Sequence, residues 1–298
     1  METLLSPAFD NLSSFDGGKI KKGLKQVEGL LAQICLSGPS SPRKQHLQPG
    51  AADREQPARK VLADLSGDPA FREFFKLQEG FEWNVAQRLL TTLDFLVVRG
   101  GDGQYDLLIV NALDLIQGVL LLHPPSKVLF ARSVHMNLPP DLLEPINCPA
   151  IQSATIITLV VALLDMPQNM RVFEQLDGLL TITSLFKSRE TGREVKFRLT
   201  EFLYFYLTPE TPSIPRADAR LATGAPGLLQ RSPSKLAKVF GGAGNEGKGE
   251  RQGTATAGDG MTLSVEEKKE YVDRYLPGVV DELLKDLDTY KPFGGVLS

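Results

Sequence analysis

Apolar residues recur every three or four positions along most of the chain, which is the period of amphipathic α-helices. In the segment 84–99, polar residues occupy one helical face and apolar residues the other. The polar face consists of Asn84, Gln87, Arg88, Thr91, Asp94 and Arg99, and the apolar face of Val85, Leu89, Leu93, Leu96 and Val97. The segment 107–122 has a narrower polar stripe, formed by Asn111, Asp114 and Gln117. The pattern therefore predicts an all-α protein.

The segment 151–164 is apolar on nearly every side of a helix, so we expect a central helix that others cover. Its β-branched residues also permit a strand. A run of 14 residues is long for a strand, however, and no hairpin turn signals flank it. Neither this run nor 107–122 reaches the roughly 20 residues needed to cross a bilayer.

A weak internal repeat is visible, because residues 120–143 resemble residues 163–186 at a displacement of about 42 to 43 positions. Each copy has the end of a long helix, a proline-containing turn and a short helix. This spacing is the period of armadillo and HEAT repeats, so we predict an armadillo/HEAT-like helical repeat array. The alternative is an irregular helical bundle in which the similarity is accidental.

Two stretches have too little apolar surface to offset the entropy of ordering, and we expect both to be disordered. They divide the chain into a helical body at 1–207 with a flexible loop at 37–57, an insert at 208–262, and C-terminal helices at 263–298. Ser264 is a good N-cap for the first of these helices, and Pro277-Gly278 predicts a break between them. We expect this helical pair to pack back on the body.

Charge and cysteine usage narrow the class of protein. The net charge is −3, from 33 basic and 36 acidic residues, so no overall field favours nucleic acid or an anionic membrane. The two cysteines lie far apart and suit a reducing compartment, and the N-terminus has no signal-peptide pattern. We expect a soluble cytoplasmic protein with no nucleic-acid partner and no membrane insertion.

Motifs for catalysis are absent from the sequence. His46, His123 and His135 have no cysteine or carboxylate at ligand spacing, which argues against a zinc site. Neither Cys35 nor Cys148 is followed six residues later by the arginine that a cysteine phosphatase needs. No phosphate-binding loop and no Gly-x-Ser-x-Gly elbow occur. We therefore predict no catalytic residues, no cofactor, no metal and no small-molecule substrate.

The segment 187–198 contains five basic side chains in a predicted turn and helix start. One interpretation is a solvated turn in which Glu194 pairs with Arg198. The other is a surface that faces a partner protein, together with polar residues of the second repeat copy. On that hypothesis the partner-binding residues are Asn169, Arg171, Lys187, Arg189, Arg193, Lys196 and Arg198.

An aromatic cluster follows the basic segment. Helical spacing assigns one face of this helix to the core: Val195, Leu199, Phe202 and Tyr206. Tyr204 and Phe205 lie around the helix and need a second neighbour, which is the core, a partner protein or the C-terminal helical pair.

Ser/Thr-Pro dipeptides lie in or beside the two stretches of low apolar content, where chance also favours them. The candidate phosphorylation sites are Ser41, Thr208, Thr211 and Ser232. A phosphate on Ser232 would have basic neighbours with which to pair.

Several strings resemble a known family: Asn-Met-Arg-Val-Phe from Asn169, Gly-Leu at Gly178, Ser-Leu-Phe-Lys from Ser184, Val-Lys at Val195 and Glu-Phe-Leu-Tyr-Phe-Tyr-Leu from Glu201. The chain resembles, over about 4–210 and 271–287, the fungal cell division control protein 14 family of the septation initiation network. This family is distinct from the phosphatase of the same name. The resemblance implies a regulatory subunit without catalytic residues. Such a subunit binds a germinal-centre (Ste20-like) Ser/Thr protein kinase at the spindle pole body and promotes septum formation and cytokinesis. The alternative is a general armadillo-like adaptor for other partners.

Overall fold

The computed structural model describes residues 1–36, 60, 62–100, 103–210 and 262–290, and the secondary structure of these ranges is helical. The all-α class is therefore confirmed for the described part of the chain. The predicted loop at 37–57 and most of the predicted insert at 208–262 lie outside the described residues, so their predicted disorder stays a prediction.

Helices of very different lengths alternate along the chain. They are α1 (Glu2–Leu12), α2 (Gly17–Cys35), α3 (Leu62–Leu65), α4 (Pro69–Glu79), α5 (Val85–Arg99), α6 (Asp106–Leu122), α7 (Ser133–Met136), α8 (Leu138–Leu142), α9 (Pro149–Leu163), α10 (Pro167–Gln175), α11 (Gly178–Lys187), α12 (Arg193–Tyr206), α13 (Val265–Asp273) and α14 (Val279–Tyr290). A 3-10 helix, Pro124–Ala131, connects α6 to α7.

Side-chain caps begin several of these helices where the sequence changes from polar to apolar. Asp16 accepts a hydrogen bond from the backbone N–H of Lys19 at 2.8 Å, and Asn84 accepts one from Gln87 at 2.8 Å. Ser264 begins α13 in a full capping box, as expected of its position, because Glu267 also reaches back to the Ser264 backbone. These caps satisfy backbone N–H groups that have no partner within a helix.

The apolar segment at 151–164 forms α9, which lies between α6 and α12. Residues on every side of α9 are buried, including Ile151, Ile156, Leu159 and Ala162. The prediction of a covered central helix is confirmed. The long helices α6, α9 and α12 begin at residues 106, 149 and 193, which are 43 and 44 positions apart, and each packs on the next.

Hydrogen bonds join the turn after α6 to the turn after α9. The Lys127 ammonium donates to the Leu164 carbonyl at 3.0 Å. The side-chain amide of Asn169 donates to the carbonyls of Lys127 and Ala162, both at 2.8 Å. Because these turns follow the C-terminal ends of their helices, the C-terminal ends of α6 and α9 lie side by side. The stacking agrees with the predicted unit, while the armadillo/HEAT-like class of the whole chain stays a prediction.

The C-terminal helices α13 and α14 lie on the body. A turn at Pro277 and Gly278 separates them, and Gly278 has a φ of 82°, a conformation that favours glycine. Helix α14 packs against α12, where the Tyr204 hydroxyl donates to the Asp286 carboxylate at 3.1 Å. This contact supplies the second neighbour that the aromatic cluster of α12 needed.

Two histidines in the body are buried. The Nδ1 of His123 lies 2.8 Å from the Ser126 hydroxyl, and its ring meets Phe75 edge-on at 4.4 Å between centroids. Burial lowers the pKa of His123 below its ordinary value, and burial also lowers that of His135.

Acidification should destabilise the fold through these histidines. Their folded-state pKa is lowered, so the unfolded chain binds more protons, and stability is lost as the pH falls below about 6.5 towards the folded pKa. We expect urea midpoints between about pH 7.5 and 5.5 to decline less steeply in the double variant His123→Gln, His135→Gln. If the urea midpoints of the wild type and the double variant declined equally with pH, the buried histidines would not be the cause of the acid sensitivity.

Substitution of Asn169 should weaken the contact between the two turns. Asn169→Ala removes the amide that donates to two buried carbonyls, and we expect a loss of about 2–4 kcal/mol in the free energy of unfolding. Gln168→Ala, which changes the exposed neighbouring residue, is the matched control and should cost under about 0.5 kcal/mol. Urea denaturation of both variants measures the difference, and similar midpoints would show that the stacking bonds contribute nothing.

Candidate interaction surface

The basic segment forms the turn between α11 and α12. The Thr191 hydroxyl donates to the Leu185 carbonyl at 2.7 Å, and the Ser188 hydroxyl accepts from the backbone N–H of Glu190 at 3.3 Å. These bonds hold the backbone of the turn through side chains that point back to it. The turn therefore presents its charged side chains from a defined backbone.

Four of the five basic side chains in this segment form no ion pair within the described ranges. Lys187, Arg189 and Arg193 are exposed and Lys196 is half-buried, and none of the four forms an ion pair with any residue in the described ranges. Arg198 differs, because its guanidinium pairs with Glu201 at 2.8 Å. The predicted pairing of Arg198 with Glu194 is wrong. The acceptor is Glu201, one turn from Arg198 on the C-terminal side, whereas Glu194 lies one turn from Arg198 on the N-terminal side.

An exposed aromatic ring lies within this group. The Phe197 side chain is 60% exposed, and the Arg198 guanidinium lies 6.0 Å from its ring centroid. Phe197 was not among the predicted site residues. The spacing of the core face, which includes Val195 and Leu199, nevertheless places residue 197 on the opposite side of α12. We call Lys187, Arg189, Arg193, Lys196 and Phe197 the basic surface.

Two predicted partner-binding residues do not belong to this surface. Asn169 is 0% exposed and is held by the stacking hydrogen bonds, so it is not available to a partner in this fold. Arg171 is half-buried and pairs with Glu174 at 3.0 Å and Glu210 at 2.6 Å. Both polar residues serve contacts within the chain, which corrects the hypothesis that they face a partner.

Arg171 belongs to a cluster of charges between α10, the end of α12 and α13. Glu210 accepts from Arg171 and also pairs with Lys268 at 3.2 Å, while the Tyr206 hydroxyl donates to Glu174 at 2.7 Å. The Lys268 side chain is 1% exposed, and its ammonium lies 5.3 Å from the Tyr206 ring centroid. We call these five residues the buried charged cluster.

The cluster contains two cations and two carboxylates, so its formal charge is balanced. Burial raises the pKa of Glu174 and lowers the pKa of Lys268, and in both cases the nearby opposite charges act against this effect. Burial, followed by the Glu174 carboxylate, raises the pKa of Tyr206. In Glu174 and Lys268 the effect of burial exceeds that of the opposite charges, so the ion pairs offset only part of the desolvation cost.

Backbone groups on both sides of the interface bind to the same cluster. Glu210 accepts from the backbone N–H of Leu263 at 3.0 Å, and Lys268 donates to the Thr208 carbonyl at 2.8 Å. Thr208 is half-buried, and its hydroxyl donates to the Phe205 carbonyl at 2.6 Å. The other three candidate phosphorylation sites, Ser41, Thr211 and Ser232, lie outside the described residues.

Within the described ranges, no group of three or more His, Cys, Asp or Glu side chains is arranged to hold a metal ion. A separate search of the same ranges finds no helix with the length and apolar character of a membrane span.

The chain is similar to proteins of cell division control. A family model described as cell division control protein 14, SIN component, matches residues 1–293. Cell division control protein 14 of Schizosaccharomyces pombe is 31% identical over 222 residues, which cover 72% of this chain and 82% of that protein. No solved structure matches the chain significantly.

Loss of the Lys268 charge should release the C-terminal helices. Lys268→Met leaves Glu210 buried with one cation fewer, and we expect docking to weaken by about 2–3 kcal/mol, or roughly 30- to 150-fold. The rate of limited proteolysis within α13 and α14 should rise by about that factor, since cleavage follows the population of the open form.

Lys269→Met is the matched control for this experiment. Lys269 is the next residue on α13 and pairs at 2.6 Å with the exposed Asp281, so its loss should cost under about 1 kcal/mol. Equal cleavage rates for the two variants would contradict a special role for the buried charged cluster.

Proposed function

Since the chain belongs to the cell division control protein 14 family of SIN components, we propose that it is a non-catalytic regulatory scaffold of the septation initiation network. Membership gives the chain a role in cell-division control and septation. The proposal adds that it binds a germinal-centre (Ste20-like) Ser/Thr protein kinase and so promotes septum formation and cytokinesis. It further adds that this occurs in the cytoplasm at the spindle pole body.

The arrangement of the long helices supports the scaffold role. Helices α6, α9 and α12 recur at 43 and 44 residues, and hydrogen bonds through Lys127 and Asn169 join two successive turns. We infer an armadillo/HEAT-like array, in which each unit buries its apolar face on the next. Such arrays offer one continuous face on which a partner protein can bind.

The basic surface is the observation that carries the kinase-binding proposal. It combines a 60% exposed aromatic ring, Phe197, with basic side chains that form no ion pair within the described ranges. Arginine and aromatic residues are enriched at the centres of protein interfaces. The planar guanidinium groups of Arg189 and Arg193 suit bidentate pairing with carboxylates, so the expected contact on the kinase is an acidic segment.

Charge reversal on the basic surface tests the proposal. In the triple variant Arg189→Glu, Arg193→Glu, Lys196→Glu, we expect kinase affinity to fall at least about tenfold, or roughly 1.4 kcal/mol. The melting temperature should change little, because the first two side chains are exposed and the third is half-buried. Pull-down of a Ste20-like kinase followed by titration of the purified pair provides the measurement.

The variant Lys19→Glu, Lys21→Glu, Lys22→Glu is the matched control, because it reverses three exposed lysines on α2. It makes the same change in net charge and should leave kinase affinity unchanged. Wild-type affinity in the folded basic-surface variant would contradict the proposed interface. Recovery of other partners without any Ste20-like kinase would favour the general adaptor instead.

A further inference from the structure

Thr208 occupies the junction between the body and the C-terminal helices. It lies two residues after the last residue of α12, and its hydroxyl donates to the Phe205 carbonyl at 2.6 Å. Its own carbonyl accepts from Lys268 of α13 at 2.8 Å, and two residues later Glu210 accepts from the same ammonium. Three consecutive residues, 208–210, therefore connect the end of α12 to the buried charged cluster.

We propose that Thr208 is a phosphorylation site and that its phosphate releases α13 and α14 from α12. Thr208 is followed by Pro209, so the enzyme would be a proline-directed Ser/Thr kinase that uses ATP. In this step the Thr208 oxygen forms a bond to the γ-phosphorus and the bond to the β-phosphate oxygen breaks. ADP leaves, and the hydroxyl proton passes to the base of that kinase.

Charge makes the phosphate incompatible with the docked arrangement. A phosphate adds about −1.5 to −2 at neutral pH, and it would stand at the C-terminal end of α12, where the helix dipole is already negative. The cluster beside it is balanced, because Arg171 and Lys268 already pair with Glu174 and Glu210. Within the cluster, as far as the described residues go, both cations are already paired, and the hydroxyl can no longer donate to Phe205.

The limited access of a kinase to the Thr208 hydroxyl also indicates that phosphorylation and docking exclude each other. Thr208 is half-buried in the docked state and its carbonyl is bound to Lys268, so a kinase needs the junction to open before it can seat residues 208–209. Phosphorylation and docking are therefore mutually exclusive, and their coupling is reciprocal. If the kinase acts on the open form, weaker docking raises the phosphorylation rate at Thr208 because it raises the population of that form.

Phosphorylation rates test one direction of the coupling. The full-length chain is incubated with a proline-directed Ser/Thr kinase and ATP, and each site is followed by mass spectrometry. We expect Lys268→Met to raise the rate at Thr208 at least about tenfold, while Lys269→Met changes it by less than about fivefold. Ser6, which precedes Pro7 on α1, serves as the internal reference in every sample. An equal rate at Thr208 in wild type and Lys268→Met, or no modification there in either protein, would overturn the proposal.

Hydrogen exchange tests the other direction. In the phosphorylated chain and in Thr208→Glu, we expect amide protection over residues 265–286 to fall at least about tenfold, while α5 and α9 keep theirs. Thr208→Val removes the hydroxyl without adding charge and should lower protection much less. Unchanged or increased protection over 265–286 would overturn the proposal. The readout is independent of kinase binding at the basic surface, so it stands or fails separately from the proposed function.

Discussion

The burial of α9 is the constraint on which the rest of the fold depends. A helix with apolar residues on nearly every side gains stability only when neighbours cover it all round. Helices α6 and α12 pack along it, and the turns at its C-terminal end are sealed by hydrogen bonds from Lys127 and Asn169. Not every polar atom of these turns is satisfied, because the Oδ1 of Asn169 and the Nε2 of His123 are buried without a hydrogen-bond partner among the described residues.

The C-terminal helices are attached by two kinds of interaction. Val272, Val280 and Leu283 are buried in the same apolar core as the body. In addition, α13 meets α10 and the end of α12 through the buried charged cluster. A buried salt bridge contributes little net stability, because desolvation offsets most of the attraction, but the loss of one partner is costly. Docking of this kind is sensitive to single charges, whereas apolar packing is insensitive to them. The junction at 208–210 adjoins this cluster, so a change of charge there acts directly on the docking of α13.

Helical periodicity was sufficient to predict the core, because burial follows the spacing of apolar residues. Val195, Leu199, Phe202 and Tyr206 are buried, and Ser264 begins α13 as expected. The location of polar residues was harder to predict from the sequence. Asn169 has the sequence character of a surface residue, but it binds carbonyls in a buried turn. The buried charged cluster was not predicted by any local sequence pattern, because its members come from positions as distant as 171 and 268. Only the packing of α13 on the body brings Lys268 to the other four residues.

The basic surface lies at the start of α12 and the junction at 208–210 follows its end. The distance between them limits how a change at one can affect binding at the other. The helix has 14 residues, so its ends lie roughly 20 Å apart. The Debye length at physiological ionic strength is about 8 Å, so a phosphate at one end has little electrostatic effect on exposed groups at the other. Any influence of the C-terminal helices on a partner at the basic surface must therefore come from occupancy of α12 itself. Helix α14 contacts Tyr204 near the end of α12, on a helix whose exposed Phe197 lies two turns away. A partner that extends along α12 beyond Phe197 would meet α14, whereas one confined to the turn would not.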